Sequence, residues 1–245
     1  MPRMFITGSA DGLGRATAQT LLAQGHQVVV HVRSQHRLDA VRDLLDRGAL
    51  AVVGDLSDLE QTRSVADQAN RIGRFHAIIH NAGVYSGRDV LPVNVVAPYV
   101  LTALVARPRR MVYVSSSMHI GGHPDLNGLD WGGQRVSASY SDSKLFVTTL
   151  AAAIARRWPG VLTSSVDPGW VPTRMGGPNA PDDLRLGHLT QEWLATSDAA
   201  EAVVTGGYWH HQRRMQPHSA TLDEAFQDAL LEELEQATGI VLPVN

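Results

Sequence analysis

The chain has 245 residues, 44% hydrophobic and 18% charged, with a formal net charge of −3. That length suits one α/β domain with a full core, and the absence of a long basic run gives no footprint for nucleic acid. A count of zero cysteines excludes disulfides, thiolate metal sites and cysteine nucleophiles, and is compatible with a reducing cytoplasm.

Met1-Pro2-Arg3-Met4-Phe5-Ile6 leads straight into a glycine-rich turn, with no charged, hydrophobic and cleavage regions before it, so no signal peptide is expected. Later apolar stretches are broken by Arg, Pro or Gly well short of the ~20 residues of a membrane span. A soluble cytoplasmic protein with no membrane partner is expected. Strands are predicted at Arg3–Ile6, Gln27–Val32, 49–53, 75–80, 110–115, 161–166 and 207–211. Val28-Val29-Val30 and Ala77-Ile78-Ile79 are apolar on both faces, as strands covered by helices on each side must be. Between them Leu13, Thr17 and Leu21 mark a helix ended by Gly25, and Leu38, Val41 and Leu45 mark another before Gly48. Asp58 is placed to cap a helix toward Asn70. Thr221 and Asp223 open a last amphipathic helix, about 221–238, carrying Leu222, Phe226, Leu230 and Leu234. The alternation predicts a doubly wound, mostly parallel seven-stranded sheet with helices on both faces, in a single domain spanning 1–245. Residues 170–193 hold Pro172, Pro178 and Pro181 with little periodicity, and are expected to form a substrate loop or lid.

Gly8, Gly12 and Gly14 fall between the first strand and the first helix, spaced G-x-x-x-G-x-G. Glycine there permits a tight turn and a close backbone approach to a pyrophosphate, with the helix N-terminus adding positive partial charge. At the end of the second strand, His31-Val32-Arg33-Ser34 has no carboxylate for ribose hydroxyls, while Arg33 and Arg37 are available for a 2′-phosphate, which favours NADP(H) over NAD(H). Asp55, in Gly54-Asp55-Leu56, is placed either to meet an adenine amino group or to make a turn. Asn81-Ala82-Gly83 after the fourth strand supplies small residues where backbone and cofactor approach.

Tyr140 and Lys144 stand four apart and share a helix face. A free phenol titrates near 10. A neighbouring ammonium, and the positive nicotinamide of an oxidised cofactor, pull that value down. Tyr140 is then a general acid/base for hydride chemistry, with Ser116 of Ser115-Ser116-Ser117 holding the substrate oxygen and Lys144 also reaching ribose hydroxyls. His210-His211 and His218 do not build a metal site, because adjacent strand residues point to opposite faces. No G-x-S-x-G elbow supports a hydrolase.

On these motifs the chain resembles the short-chain dehydrogenase/reductase family in its compact single-domain branch. The resemblance implies cofactor contacts from Gly8, Ser9, Asp11, Gly12, Leu13, Gly14, Arg33, Asp55, Leu56, Asn81, Ala82, Gly83, Tyr140, Lys144, Pro168, Gly169, Val171 and Thr173. It maps the catalytic group onto Asn94, Ser116, Tyr140 and Lys144, Asn94 supporting a water-linked proton relay; the alternative for Asn94 is a helix cap. Only ten residues separate Gly83 from Asn94, fewer than the family usually has, and that helix often builds the oligomer interface, so a homo-oligomer is left open. The 24 residues from Ser116 to Tyr140, with Met118-His119 and Leu129-Asp130-Trp131 between, are similar to the retinol-dehydrogenase-like group. A lipophilic carbonyl or alcohol is the implied substrate, with Met118, His119, Trp170 and Met175 at its pocket. The rival reading is a non-enzymatic NADP(H)-binding sensor on the same fold. An epimerase would need a larger C-terminal domain than this chain has.

Overall fold

The computed structural model describes residues 1–244. Seven strands run parallel: β1 (Arg3–Ile6), β2 (Gln27–Val32), β3 (Leu50–Val53), β4 (Ala77–His80), β5 (Arg110–Val114), β6 (Leu162–Asp167) and β7 (Gly207–His210). An eighth, β8 (Arg213–Met215), pairs antiparallel with β7, giving the order β3-β2-β1-β4-β5-β6-β7-β8. The sequence reading expected seven strands. The extra one follows a two-residue turn in which His211 and Gln212 have φ of 46° and 61°. A tight hairpin of this hand needs positive φ at both turn residues, and neither Gly nor Asn was present to signal it. Arg213, Arg214 and Met215 are all exposed, so no apolar alternation betrayed the strand either.

Three-dimensional cover comes from helices on both faces. α1 (Gly12–Ala23) and α6 (Leu184–Thr196) pack together on one face, with the short α2 (Arg42–Asp46) beside them. α3 (Leu59–Ile72), α4 (Ala97–Leu104) and α5 (Tyr140–Arg157) cover the other, and α7 (Glu224–Thr238) lies outside α5. Asp58 caps α3 by accepting from the Gln61 amide, as expected. The apolar repeat at Leu38, Val41 and Leu45 splits into a 3-10 turn (Gln35–Val41) and α2. The irregular stretch expected to reach 193 stops at Asp183, whose carboxylate accepts from the Arg185 and Leu186 amides and starts α6. Gly187 and the prolines ahead of it had hidden that helix. The last helix starts later than expected, at Glu224, because Ser219–Leu222 forms a separate 3-10 turn and Asp223 is the cap.

α5 begins with a reciprocal cap between Ser139 and Asp142, which fixes where its first residue, Tyr140, stands. Its outer side is closed by the end of the chain. Leu230, Leu231 and Leu234 of α7, with Ile240 and Leu242, are buried in one cluster with Phe146, Leu150, Ile154 and Trp158. The Tyr99 hydroxyl donates to the Ile240 carbonyl at 2.6 Å, and the Trp158 indole to that of Pro243 at 2.9 Å. Each buried leucine contributes ~1.5–3 kcal/mol. No helix among the described residues is long and apolar enough to cross a membrane.

The sheet reverses direction of growth between β1 and β4, so the carboxyl ends of these strands flank a crevice, the place where open α/β sheets hold ligands.

Candidate active site

The β1–α1 turn is shaped by what a side chain would strike. A Cβ on Gly8 would lie 2.8 Å from Ala82 Cα, and one on Gly14 would lie 2.5 Å from the Gly8 carbonyl oxygen. Gly8 and Gly12 also have φ of 65° and 54°, which L side chains rarely adopt. Thr7 Oγ1 accepts from the Asn81 and Ala82 amides at 2.9 and 3.0 Å, and the Asn81 side chain donates to the Thr7 and Gly8 carbonyls. Asn81 and Ala82 therefore bind the turn to the end of β4. His31 ties it to β2 and β3. Gly8 N–H donates to His31 Nδ1 at 3.0 Å, and Nε2 lies 2.8 Å from the Gly54 carbonyl, which fixes a neutral Nε2–H imidazole. Burial pushes its pKa below the usual histidine value. Ser9 is fully buried, its hydroxyl donating to the Ile6 carbonyl and accepting from the His31 amide, so it braces the turn from within.

Whether this turn suits a pyrophosphate can be tested on its free donors. α3, α5, α6 and α7 each have their first amides capped by a side chain, whereas Asp11 makes no cap bond to α1. The α1 N-terminus is thus left with uncapped amides behind a glycine cradle, and an anion fits it. Asp11 instead pairs with Arg37 at 3.3 Å. Arg33 is exposed and has no ion-pair or hydrogen-bond partner among the described residues. Asp55 Oδ1 accepts from the Ser57 amide and hydroxyl, the turn role foreseen as one of its two alternatives; Leu56 beside it is buried.

The three serines separate cleanly. Ser115 is buried and bonds Thr148 Oγ1 at 2.6 Å, and Ser117 is exposed. Ser116 stands between them at the end of β5, accepts from the Met118 amide at 3.2 Å and hydrogen-bonds the Tyr140 phenol. Lys144, 3% exposed, donates from Nζ to the Val114 carbonyl at 2.8 Å, and Nζ lies 5.5 Å from the Tyr140 ring centre. Burial pulls its pKa down to about 8, opposed by the charge of Asp167. The expectation of an acidified phenol is not met in the protein by itself. Burial, relieved in part by Ser116 and reinforced by the charges of Asp167 and Tyr85, pushes Tyr140 up to about 12.

Asn94 lies in a π turn (Pro92–Val96) leading into α4, in mid-helix, so it does not cap a helix terminus. Its Oδ1 accepts from the Val84 amide at 2.8 Å, and its Nδ2 donates to the Val84 carbonyl and to Ser143 Oγ, both at 2.9 Å. A Cβ on Gly83 would stand 3.3 Å from Asn94 Oδ1 and 3.6 Å from Lys144 Nζ, so these three residues meet at one point.

Beyond β6, Gly169 takes φ 80°, and the segment after it folds back over the crevice. Thr173 packs on Gly12, and the Met175 methyl lies over Gly83. The Trp170 amide donates to Asp182 at 2.6 Å, its indole to the Gly176 carbonyl at 2.8 Å, and Val171 is buried beneath. Met118, Trp170 and Met175 are exposed, as is Tyr85, whose ring lies 4.9 Å from that of Tyr140. His119 is a correction. It is fully buried, with Nδ1 2.7 Å from the Ser116 carbonyl and Nε2 accepting from the His218 amide at 3.0 Å. Burial lowers its pKa, and neither ring nitrogen is left for a ligand. The two histidines 210 and 211 do not point apart either: the positive φ at His211 swings its ring onto that of His210, with centres 3.8 Å apart. Sequence reasoning also passed over Tyr85 and Asp167, although a carboxylate directly before Pro168-Gly169 at a strand end was a readable signal.

A glycine cradle at the switch point of a parallel sheet, with a serine after β5 and the tyrosine and lysine of α5 beside it, suits a nucleotide-dependent oxidoreductase of CH–OH and C=O groups. Known proteins narrow this. Residues 2–118 match the family model described as short chain dehydrogenase. The short-chain dehydrogenase chry4 of Gibberella zeae is 37% identical, covering 99% of this chain and 99% of its own. An uncharacterised protein of Mycobacterium paratuberculosis has the same fold at a TM-score of 0.81 and 24% identity, over 100% of this chain and 96% of that one. Pseudomonas aeruginosa RhlG, solved as an NADP active-site complex, follows at a TM-score of 0.67 and 22% identity, over 84% of this chain and 93% of its own. The chain belongs to the short-chain dehydrogenase family.

Proposed function

We propose that this protein interconverts a carbonyl and an alcohol on a lipophilic small molecule by NADP(H)-dependent hydride transfer. The observation that carries the reading is the convergence of Ser116, Tyr140 and Lys144 beside the glycine cradle of α1. Gly8, Gly12, Gly14, Asn81, Ala82, Gly83 and Thr173 are the residues that would hold the dinucleotide, with Arg33 at the 2′-phosphate. When bound, the dinucleotide supplies or accepts the hydride.

The rest is the work of this chain's side chains. Ser116 Oγ holds the substrate oxygen against the Tyr140 hydroxyl. In reduction the phenol donates its proton to that oxygen, and the Lys144 ammonium, steadied on the Val114 carbonyl, stabilises the phenolate left behind. A phenol raised to about 12 stays protonated at neutral pH, which suits proton donation; oxidation requires the phenolate and so favours alkaline conditions. Asn94 holds the Val84 backbone and the Ser143 hydroxyl in place beside Lys144. The exposed Tyr85, Met118, Trp170 and Met175 offer apolar surface at the mouth, which supports a lipophilic substrate.

The experiment is a titration with NADPH and NADH, followed by cofactor fluorescence, for the natural protein and Arg33→Ala. NADPH is expected to bind more tightly, and the variant to lose about tenfold for NADPH alone, the worth of one charge-assisted contact. Tyr140→Phe is expected to keep cofactor affinity and lose turnover on a panel of aromatic and aliphatic ketones. Failure to bind either nucleotide would overturn the reading.

A further inference from the structure

Residues 170–182 leave the sheet after β6, pass over the crevice and return to start α6, and the two ends of this excursion are bonded to each other. The Trp170 amide donates to Asp182 Oδ2 at 2.6 Å, and the Asp182 amide donates back to the Trp170 carbonyl at 3.0 Å. The carboxylate fills the space a side chain at 169 would need, since a Cβ on Gly169 would lie 2.6 Å from Asp182 Oδ2. Asp183, next along, caps α6, so one carboxylate starts the helix and its neighbour closes the loop.

Below this clasp the loop is anchored. Val171 is buried against α6, where a Cβ on Gly187 would stand 2.7 Å from Val171 Cγ1 and 3.1 Å from Leu13 Cδ2 of α1. Beyond it little is held: Pro172, Arg174, Met175, Pro178, Asn179 and Pro181 are all exposed. The order of the tip is internal. The Trp170 indole donates to the Gly176 carbonyl at 2.8 Å, the Gly176 amide to Thr173 Oγ1 at 3.1 Å, and the Gly177 amide to the Thr173 carbonyl at 2.8 Å. A segment that buries so little opens at low free-energy cost. Yet this tip puts Thr173 on Gly12 of the glycine cradle and the Met175 methyl over Gly83, where Asn94 and Lys144 meet.

We propose that Asp182 is a positioning residue: by holding the Trp170 amide, its carboxylate keeps the 170–182 loop shut over the bound nucleotide and sets how long the nucleotide stays. The effect on the nucleotide rests on the oxidoreductase reading; the closure of the loop does not. A carboxylate that accepts from a backbone amide makes a charge-assisted bond, roughly twice as strong as a neutral one. It is the only side-chain bond across the mouth of the loop among the described residues. Because Thr173 and Met175 ride on one internally bonded tip, releasing the clasp lifts both contacts together. Nucleotide enters while the loop is open, so association does not need the clasp, whereas departure waits for the loop to open.

The test uses Arg174, which gives trypsin an exposed cut inside the loop. The natural protein, Asp182→Ala and Asp182→Asn are digested without nucleotide, and release of fragment 175–245 is followed by mass spectrometry. Asparagine keeps an acceptor for the Trp170 amide; alanine does not, although the backbone half of the clasp survives. Asp182→Ala is expected to be cut at Arg174 about tenfold faster, the factor carried by one charge-assisted bond, and Asp182→Asn to stay within about threefold of the natural protein. Stopped-flow displacement of NADPH, read by its fluorescence, is expected to show about tenfold faster release from Asp182→Ala at an unchanged association rate, with slow release restored in Asp182→Asn. If Asp182→Ala does not fold, Asp182→Ser, too short to reach the amide, carries the same expectation. Equal digestion of the natural protein and the alanine variant overturns the proposal, as does an unchanged rate of NADPH release. A natural protein that binds no NADPH sinks the oxidoreductase reading and with it the effect on the nucleotide, while the digestion still decides whether Asp182 clasps the loop.

Discussion

Replacing His80 by leucine removes an imidazole that the fold buries completely at the end of β4, one residue before Asn81. Its ring stacks on Tyr113 with centres 4.5 Å apart, Nε2 makes a long 3.4 Å contact with Thr102, and Nδ1 has no partner. Burial drives its pKa down to about 3, against 6.5 in an unfolded chain. Between these values the unfolded chain binds the extra proton and the native protein does not, so stability rises with pH across the window and is lost as pH falls through it. Nearly nothing is lost at pH 7.5. At pH 5, one and a half units below the unfolded value, the deficit is about 2 kcal/mol, and it approaches about 5 kcal/mol below pH 3. Leucine has a similar volume and cannot take a proton. Urea unfolding, followed by tryptophan fluorescence at pH 7.5 and 5.0, should show the natural protein losing about 2 kcal/mol more than His80→Leu between the two conditions. Comparing the losses cancels any change in baseline stability caused by the substitution. Equal losses would mean that His80 is protonated, or reached by water, in the native state, and the reasoning would fail.

Gly14→Ala must displace the Gly8 carbonyl or the Asn81 side chain, and should cost about 2–4 kcal/mol, a drop of about 5–12 °C in melting temperature, with NADPH binding lost alongside. A thermal shift assay with and without nucleotide reads both effects. Asn94→Ala leaves the Val84 amide and carbonyl unpaired in a part-buried position and should destabilise by about 2–3 kcal/mol, seen as a lower urea midpoint at unchanged m. Because α7 and the tail cover the outer side of α5, the protein should run as a monomer in light scattering coupled to size exclusion, while α7 substitutions such as Leu230→Asp and Leu234→Asp should make it associate or aggregate. A stable natural dimer would show that another face carries assembly.

Strands β1 and β2 could be placed to the residue because their apolar runs end at turn-forming residues. The glycine turn and the tyrosine–lysine pair were legible for the same reason: their chemistry depends on local spacing. What depended on distant partners was not. His119 reads as a pocket or surface residue until His218, far along the chain, is found donating to it. Ser9 reads as a cofactor contact until its hydroxyl is seen facing β1 and β2. The ammonium of Lys144 was expected to govern Tyr140, but the depth of both groups, which no spacing reveals, dominates instead. β8 was hidden because its residues bury nothing and its turn lacks the usual small residues.

The stitching of α5 to the residues after α7 has a bearing on how the molecule is made. Trp158 and Tyr99 pass their polar hydrogens to carbonyls at 243 and 240, and three leucines at 230–234 complete the packing around Phe146. On a ribosome, the helix that carries Tyr140 and Lys144 emerges long before those partners do. Until they arrive its outward side remains wet and oily, so the nascent chain carries its catalytic helix half-dressed, a stretch of synthesis in which a chaperone would find its best handhold.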